Sequence, residues 1–144
     1  MFEESIPHVT LAIYDELNCD ECRKKFEAFS DSHKPVTFKF SHIGAFISKR
    51  NALITAPVVT ESLLQYHKEF HEYFKDDGLN SWKEYQPGNW IPHCTLGFDV
   101  AGDKVDEAFA ICRKLKLPLT VETASIGIMS FEPVQEVYRV PFEP

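Results

Sequence analysis

The sequence has little positive charge. It carries 15 lysines and arginines against 22 acidic residues, which leaves a formal net charge of −7 at pH 7. Long duplex nucleic acid is held by broad basic surfaces, so this composition argues against such a partner. A small charged substrate, or the end of an RNA, is compatible with it.

Long hydrophobic runs are also missing. No run approaches the roughly 20 apolar residues of a membrane-spanning helix, and the first residues, MFEESIPH, lack the apolar core of a signal peptide. We therefore expect no membrane partner and a cytoplasmic location. The four cysteines should be reduced there, since their spacing does not resemble a disulfide framework. The length of 144 residues and the 44% hydrophobic content predict one globular domain over residues 1–144.

A strand, helix, strand, strand pattern occurs twice along the chain. The segment PHVTLAI matches PHCTLGF, and the Ile-Gly pair at 43–44 matches the pair at 126–127, at nearly equal offsets. An amphipathic helix pattern over 60–75 and a polar loop separate the copies.

Within the first copy, Asn18 is a predicted helix N-cap, and 36–46 with 51–59 predict a hairpin. Within the second copy, Asp103 is a predicted N-cap, and 119–131 and 135–142 predict strands. We predict an α+β fold of two internal repeats (about 8–59 and 93–142), which form two pseudo-symmetric lobes. Each lobe would have an antiparallel sheet with outer helices, and a central cleft would lie between them.

Each repeat begins with a histidine and a threonine two residues apart. Side chains alternate across a strand, so His93 and Thr95 share one face with Gly97. His8 and Thr10 repeat the pattern. The opposite face of the second strand is predicted to be core, with Cys94, Leu96 and Phe98.

Two imidazoles that meet across the cleft suit general acid and base catalysis. The ordinary histidine pKa of about 6.5 allows one ring to be neutral and the other protonated near neutral pH. Threonine hydroxyls beside them can donate hydrogen bonds to the non-bridging oxygens of a phosphoryl group. A site for a hard metal would need clustered carboxylates, which neither motif has, so we expect no metal and no cofactor.

The paired PHVTL and PHCTL resemble the two His-x-Thr-x motifs of the 2H phosphoesterase superfamily, which includes 2′-5′ RNA ligases and RNA 2′,3′-cyclic phosphodiesterases. NALITAPVVTESLLQYHKEF and YQPGNWIPHCTLGF are also similar to bacterial members. The resemblance implies a two-lobed α+β fold and a metal-independent phosphodiesterase, a hydrolase acting on 2′,3′-cyclic phosphates or 2′-5′-linked nucleotides and RNA ends. It implies that His8 and His93 are catalytic and that Thr10 and Thr95 bind the substrate phosphate.

Only seven residues precede His8, whereas most members of this superfamily carry a further strand and helix before the first motif. We expect either a compact subgroup or a lobe that a partner chain completes. The alternative function is a non-catalytic module that binds nucleotides or RNA ends in the same cleft. The near equivalence of the two motifs leaves open which histidine is the base.

Other features have competing interpretations. The segment CDEC at a helix start resembles a thiol-disulfide motif, but Cys19, Cys22, Phe26 and Phe29 share a helical stripe that favours packing. His67 and His71 lack the zincin spacing of glutamate, which favours ordinary helix-face histidines. His42 alternates with Phe38 and Phe40, which favours a structural role. Candidates for base stacking are Tyr14, Tyr85, Trp90 and Phe131, which equally fit ordinary core or loop anchors. Candidate cations are Lys39, Lys49, Arg50 and Arg139.

Overall fold

The computed structural model describes residues 6–143, apart from the Cys19 side chain. The helices are α1 (Cys19–Ser32), α2 (Glu61–Tyr73) and α3 (Val105–Cys112). The strands are β1 (Tyr14–Leu17), β2 (Thr37–Phe46), β3 (Asn51–Pro57), β4 (Gly78–Ser81), β5 (Cys94–Val100), β6 (Leu119–Glu122), β7 (Ser125–Ser130) and β8 (Gln135–Pro141). The strand pairs are antiparallel, so the predicted α+β class is confirmed.

The helices begin where local chemistry favours them. Thr60 accepts a hydrogen bond from the Leu63 amide at 3.1 Å and caps α2. Asp20 and Glu21 in the first turn of α1 complement the helix dipole. Asn18 occupies the predicted N-cap position of α1, but its side chain makes no capping bond. None of the helices in the described range is long and apolar enough to cross a membrane.

The largest sheet has the strand order β5-β3-β2-β6. Every residue of β3 is buried, because this strand is internal to the sheet and covered on both faces. The sheet combines the β2–β3 hairpin of the first predicted repeat with β5, which carries the second histidine motif. One core cluster packs against the sheet and consists of Phe38, Phe40, Leu63 and Trp90.

The remaining strands form two smaller sheets, β1-β4 and β7-β8. Helix α1, from the first predicted repeat, packs against the β7–β8 hairpin of the second. The core between the two outer helices and this hairpin consists of Cys22, Phe26, Phe29, Phe70, Phe74, Ile126 and Ile128. Hairpins and helices from the two repeats are thus interleaved, and the two-lobed pseudo-symmetry stays a prediction.

Several predicted elements have different bounds. The strand predicted from His8 makes an isolated bridge at Val9 and becomes β1 only at Tyr14. The strand predicted over 119–131 is divided into β6 and β7, which join different sheets. The predicted loop after α2 contains β4 and a short 3₁₀ helix, Lys83–Tyr85. A second 3₁₀ turn precedes α3, and Asp103 does not cap that helix.

Two predictions from strand alternation are wrong because β-bulges interrupt the pleat. Leu96 and Phe98 were predicted to be core, but they are 41% and 50% exposed. The register of β5 against β3 shifts twice, which changes the face that later residues occupy. A shift between Phe40 and His42 likewise ends the alternation in β2, and His42 is exposed beside Ser41.

Candidate active site

The two histidine motifs lie side by side. Val9 and Cys94 form an antiparallel bridge, so continuing the register by one residue places His8 opposite Thr95 and Thr10 opposite His93. Val9 and Cys94 both pack against the core cluster under the large sheet. The histidine and threonine side chains therefore share the other face, as the alternation of the motifs predicts.

Both catalytic candidates have the same local anchor. The Nδ1 atom of His8 lies 2.8 Å from the Ile6 carbonyl oxygen, and that of His93 lies 2.7 Å from the Ile91 carbonyl oxygen. A carbonyl can only accept, so Nδ1 carries the hydrogen in each ring and donates it. This assigns the tautomer in which Nε2 of the neutral ring has a free lone pair.

The proline before each histidine helps to set this anchor. Pro7 and Pro92 have a restricted φ, and each limits the isoleucine before it to extended conformations. The isoleucine carbonyl therefore has a defined direction toward the ring two residues later. The sequence contains this signal as a repeated Ile-Pro-His, which extends the matched motifs by one residue toward the N-terminus.

A cavity of about 690 Å³ lies beside the second motif, where His93 and Thr95 line it. Its aromatic lining consists of Phe46, Trp82, Tyr85 and Phe98. The Phe46 ring also meets the His93 ring edge-on, with 4.9 Å between the centroids. Cavities of this size, with apolar walls and a few polar groups, are typical of small-molecule sites.

Cations also border this cavity. Arg50 and Lys83 line it together with Glu84 and Asn89. The Arg50 guanidinium lies 5.9 Å from the centre of the Phe98 ring, which holds the cation near the aromatic wall. Aromatic rings can stack on a nucleobase and the two cations can bind phosphate, so the lining suits a nucleotide.

The substrate-contact candidates from the sequence divide into two groups. Tyr85 and Arg50 line the cavity. Phe131 meets the Trp82 ring edge-on at 6.2 Å and is half exposed, so it lies next to the cavity wall. Phe131 is not in the lining, and neither are Tyr14, Trp90, Lys39, Lys49 and Arg139. Phe98, a further wall residue, was predicted to be core because the alternation was extended through Gly97, where the register of β5 shifts.

Trp90 is a structural residue and not a base-stacking one. It is 8% exposed, and its indole Nε1 donates to the Thr10 carbonyl at 2.9 Å. Its ring stacks on His67, with 3.9 Å between the centroids. Burial, with a contribution from the neighbouring His71, lowers the pKa of His67 to about 4, although the backbone at Leu11 and Tyr85 opposes this shift.

The structure supports packing rather than redox chemistry for the cysteines whose side chains it describes. Cys22 is completely buried beside Phe26 and Phe29 in the core. Burial raises the pKa of the Cys94 thiol, which lowers its reactivity. The side chain of Cys19 lies outside the described residues. Within the described part of the chain, no group of three or more His, Cys, Asp or Glu is arranged to hold a metal ion.

These observations define an α+β protein with two matched histidine motifs on one surface. The family model of the 2′-5′ RNA ligase superfamily matches residues 1–134. The chain therefore belongs to that superfamily, which is the 2H phosphoesterase superfamily, and the resemblance seen in the sequence is confirmed. The chain has no significant match among curated proteins and none among solved structures.

Proposed function

We propose that this protein is a metal-independent phosphodiesterase that acts on 2′,3′-cyclic phosphates or 2′-5′ linkages of nucleotides and RNA ends. The observation that carries the proposal is the matched anchoring of two neighbouring histidines, each with Nδ1 held by a carbonyl and Nε2 free. Membership of the 2′-5′ RNA ligase superfamily supports the same class of chemistry.

In the proposed reaction, one histidine acts as base and the other as acid. The Nε2 atom of the neutral ring takes a proton from a water molecule, and the oxygen of that water forms a bond to phosphorus. The bond from phosphorus to the ribose 3′ oxygen breaks, and the protonated second histidine gives its Nε2 proton to that oxygen. The product is a 2′-phosphate. The local anchors of His8 and His93 are alike, so both assignments of base and acid stay open.

Thr10 and Thr95 are proposed to bind the reacting phosphoryl group. Their hydroxyls lie on the same face as the histidines and can donate to the two non-bridging oxygens, where negative charge grows in the transition state. The cavity beside the second motif would then hold the base of the nucleotide on its aromatic wall. Arg50 and Lys83 would bind a further phosphate of the chain.

The test is turnover of 2′,3′-cyclic nucleotides and 2′-5′-linked oligonucleotides in EDTA, followed by phosphorus NMR. We expect turnover without added metal, a 2′-phosphate product from the cyclic substrates, and loss of turnover in both His8→Ala and His93→Ala. Turnover that needs a divalent metal, or that survives either substitution, would contradict the proposal.

One observation favours the alternative of a binding module without turnover. The cavity is lined by the second motif, whereas His8 and Thr10 do not line it and His8 is exposed. A module of this kind would bind the same nucleotides in calorimetry, and His93→Ala would weaken binding more than His8→Ala. Binding without product in the NMR assay would support this alternative.

A further inference from the structure

The segment that carries the first motif has few backbone partners. Between Ile6 and Ile13 the only ladder contact is the bridge from Val9 to Cys94, and regular pairing begins with β1. The second motif, in contrast, continues directly into β5 and its sheet. Buried carbonyl groups need a hydrogen-bond donor, so another element has to supply donors to the first motif.

Three aromatic ring N–H groups supply those donors. The Trp90 indole Nε1 donates to the Thr10 carbonyl, and Nε2 of His67 and of His71 both approach the Leu11 carbonyl, each at 2.9 Å. One carbonyl oxygen has two lone pairs and can accept both bonds. Because the carbonyl only accepts, Nε2 carries the hydrogen in both histidines.

These donor rings are themselves held in place. His67 is 1% exposed, and its ring lies parallel to the Trp90 indole, with an interplanar angle of 2°. His67 and His71 are four residues apart on α2, so they lie on the same helix face. Their ring centroids are 4.5 Å apart. Tight packing keeps the N–H groups of these rings in place. Their hydrogen bonds therefore restrain the backbone of the strand at Thr10 and Leu11.

Trp90 also connects the two motifs along the chain. It lies three residues before His93, in the segment that leads into β5, while its indole holds the backbone of Thr10. We propose that Trp90, His67 and His71 are positioning residues that set the place of His8 and Thr10 relative to His93 and Thr95. This inference rests on the proposed function for its kinetic consequence, but its structural part can be tested separately.

The kinetic test uses variants that remove one donor each. Trp90→Phe keeps an aromatic ring but loses the N–H, and His67→Leu loses its donor. We expect kcat to fall about 10- to 100-fold while KM changes less than about threefold, because a misplacement near 1 Å costs about 10²-fold in rate. His67→Gln should recover most of the rate, since its amide nitrogen can reach the position of Nε2. His42→Gln is the matched control and should retain the wild-type rate.

The structural test is amide hydrogen exchange, which does not depend on turnover. We expect exchange of residues 8–12 to rise at least about tenfold in Trp90→Phe and in His67→Leu, with β3 unchanged. If residues 8–12 exchange at the wild-type rate in both variants, the inference is overturned. An equal rise in β3 in every variant would also overturn it, because these side chains would then only stabilise the whole core.

The two tests together separate this inference from the proposed function. If the wild type turns over no substrate and the exchange rise is confined to residues 8–12, the phosphodiesterase proposal fails and the positioning inference is supported. If the wild type turns over substrate and Trp90→Phe keeps its kcat, the positioning inference fails and the phosphodiesterase proposal is unaffected.

Discussion

The two Ile-Pro-His-x-Thr segments have nearly the same sequence but different surroundings. Both histidines are anchored through Nδ1 to the carbonyl two residues earlier. The second continues into a strand of the large sheet and borders the cavity of about 690 Å³, whereas the first is held by a single bridge and by side-chain donors. The local Ile-Pro-His sequence therefore favours the same anchor for each ring. The tertiary structure determines which motif borders the cavity.

The largest expected effect tests whether the two motifs are equivalent in catalysis. His8→Ala and His93→Ala should each lower kcat by about 10³- to 10⁴-fold, because each would remove one partner of the proposed acid and base pair. His42→Ala, at an exposed site, is the control. Measured rates that differ by more than about 100-fold between the two variants would show that one histidine carries most of the catalysis.

The second prediction concerns the stability of the first motif in acid. The pKa of His67 is lowered to about 4 in the folded protein, so between pH 6.5 and 4 the unfolded chain binds a proton that the folded chain does not. The contribution of His67 to the free energy of unfolding should be fully present above pH 6.5. It should fall by about 3 kcal/mol as the pH drops to 4. Urea unfolding across this range measures the slope.

His67→Gln provides the comparison, because glutamine keeps a donor but does not titrate. Its free energy of unfolding should depend less on pH over the same interval. Since His67 supports the first motif, hydrogen exchange in acid should increase in residues 8–12 before it increases in β5. The same pH dependence in wild type and variant would show that other groups cause the loss.

The third prediction compares the threonines. Thr10→Val and Thr95→Val should each lower kcat by about 10²-fold, because each would remove a proposed hydroxyl donor to the charged phosphoryl oxygens. Thr10→Ser and Thr95→Ser keep the hydroxyl and should stay close to wild type. Steady-state kinetics on the best cyclic substrate measures both pairs, and a valine variant with wild-type kcat excludes that threonine from phosphate binding.

The smallest expected effect tests whether the substrate occupies the cavity beside the second motif. Arg50→Met should raise KM about tenfold with little change in kcat, since it would remove a proposed charge-assisted contact with the substrate that is equal in the ground and transition states. Arg113→Met, an exposed arginine outside the cavity lining, is the matched control. An unchanged KM for Arg50→Met would place the substrate elsewhere.

Much of the site is predictable from sequence because the motifs are local. The alternation of His93 and Thr95, the repeat at His8 and Thr10 and the hairpin of β2 and β3 all follow from periods that neighbouring residues set. The helices α1 and α2 also follow from their apolar stripes, and Thr60 marks the start of α2. The predicted bounds of an element are wrong where its strand partner lies far away in the sequence. The division between β6 and β7 is an example, because β6 pairs with β2 and β7 pairs with β8.

The points at Phe98, His42 and Trp90 that the sequence did not decide share a physical cause. A bulge depends on the register of a partner strand, so a glycine such as Gly97 signals an irregularity but does not show how the register shifts. The role of Trp90 depends on a carbonyl that lies 80 residues earlier in the chain. Such contacts form only when distant segments pack together.

The sequence by itself determined the superfamily, the α+β class and the two matched His-x-Thr motifs. These features depend on residue identity and short spacing. Only the tertiary structure decided that the repeats interleave, that the cavity lies at the second motif, and that Trp90 with His67 and His71 holds the first. Those features depend on register and on which buried carbonyls need donors, and both are set by packing between distant parts of the chain.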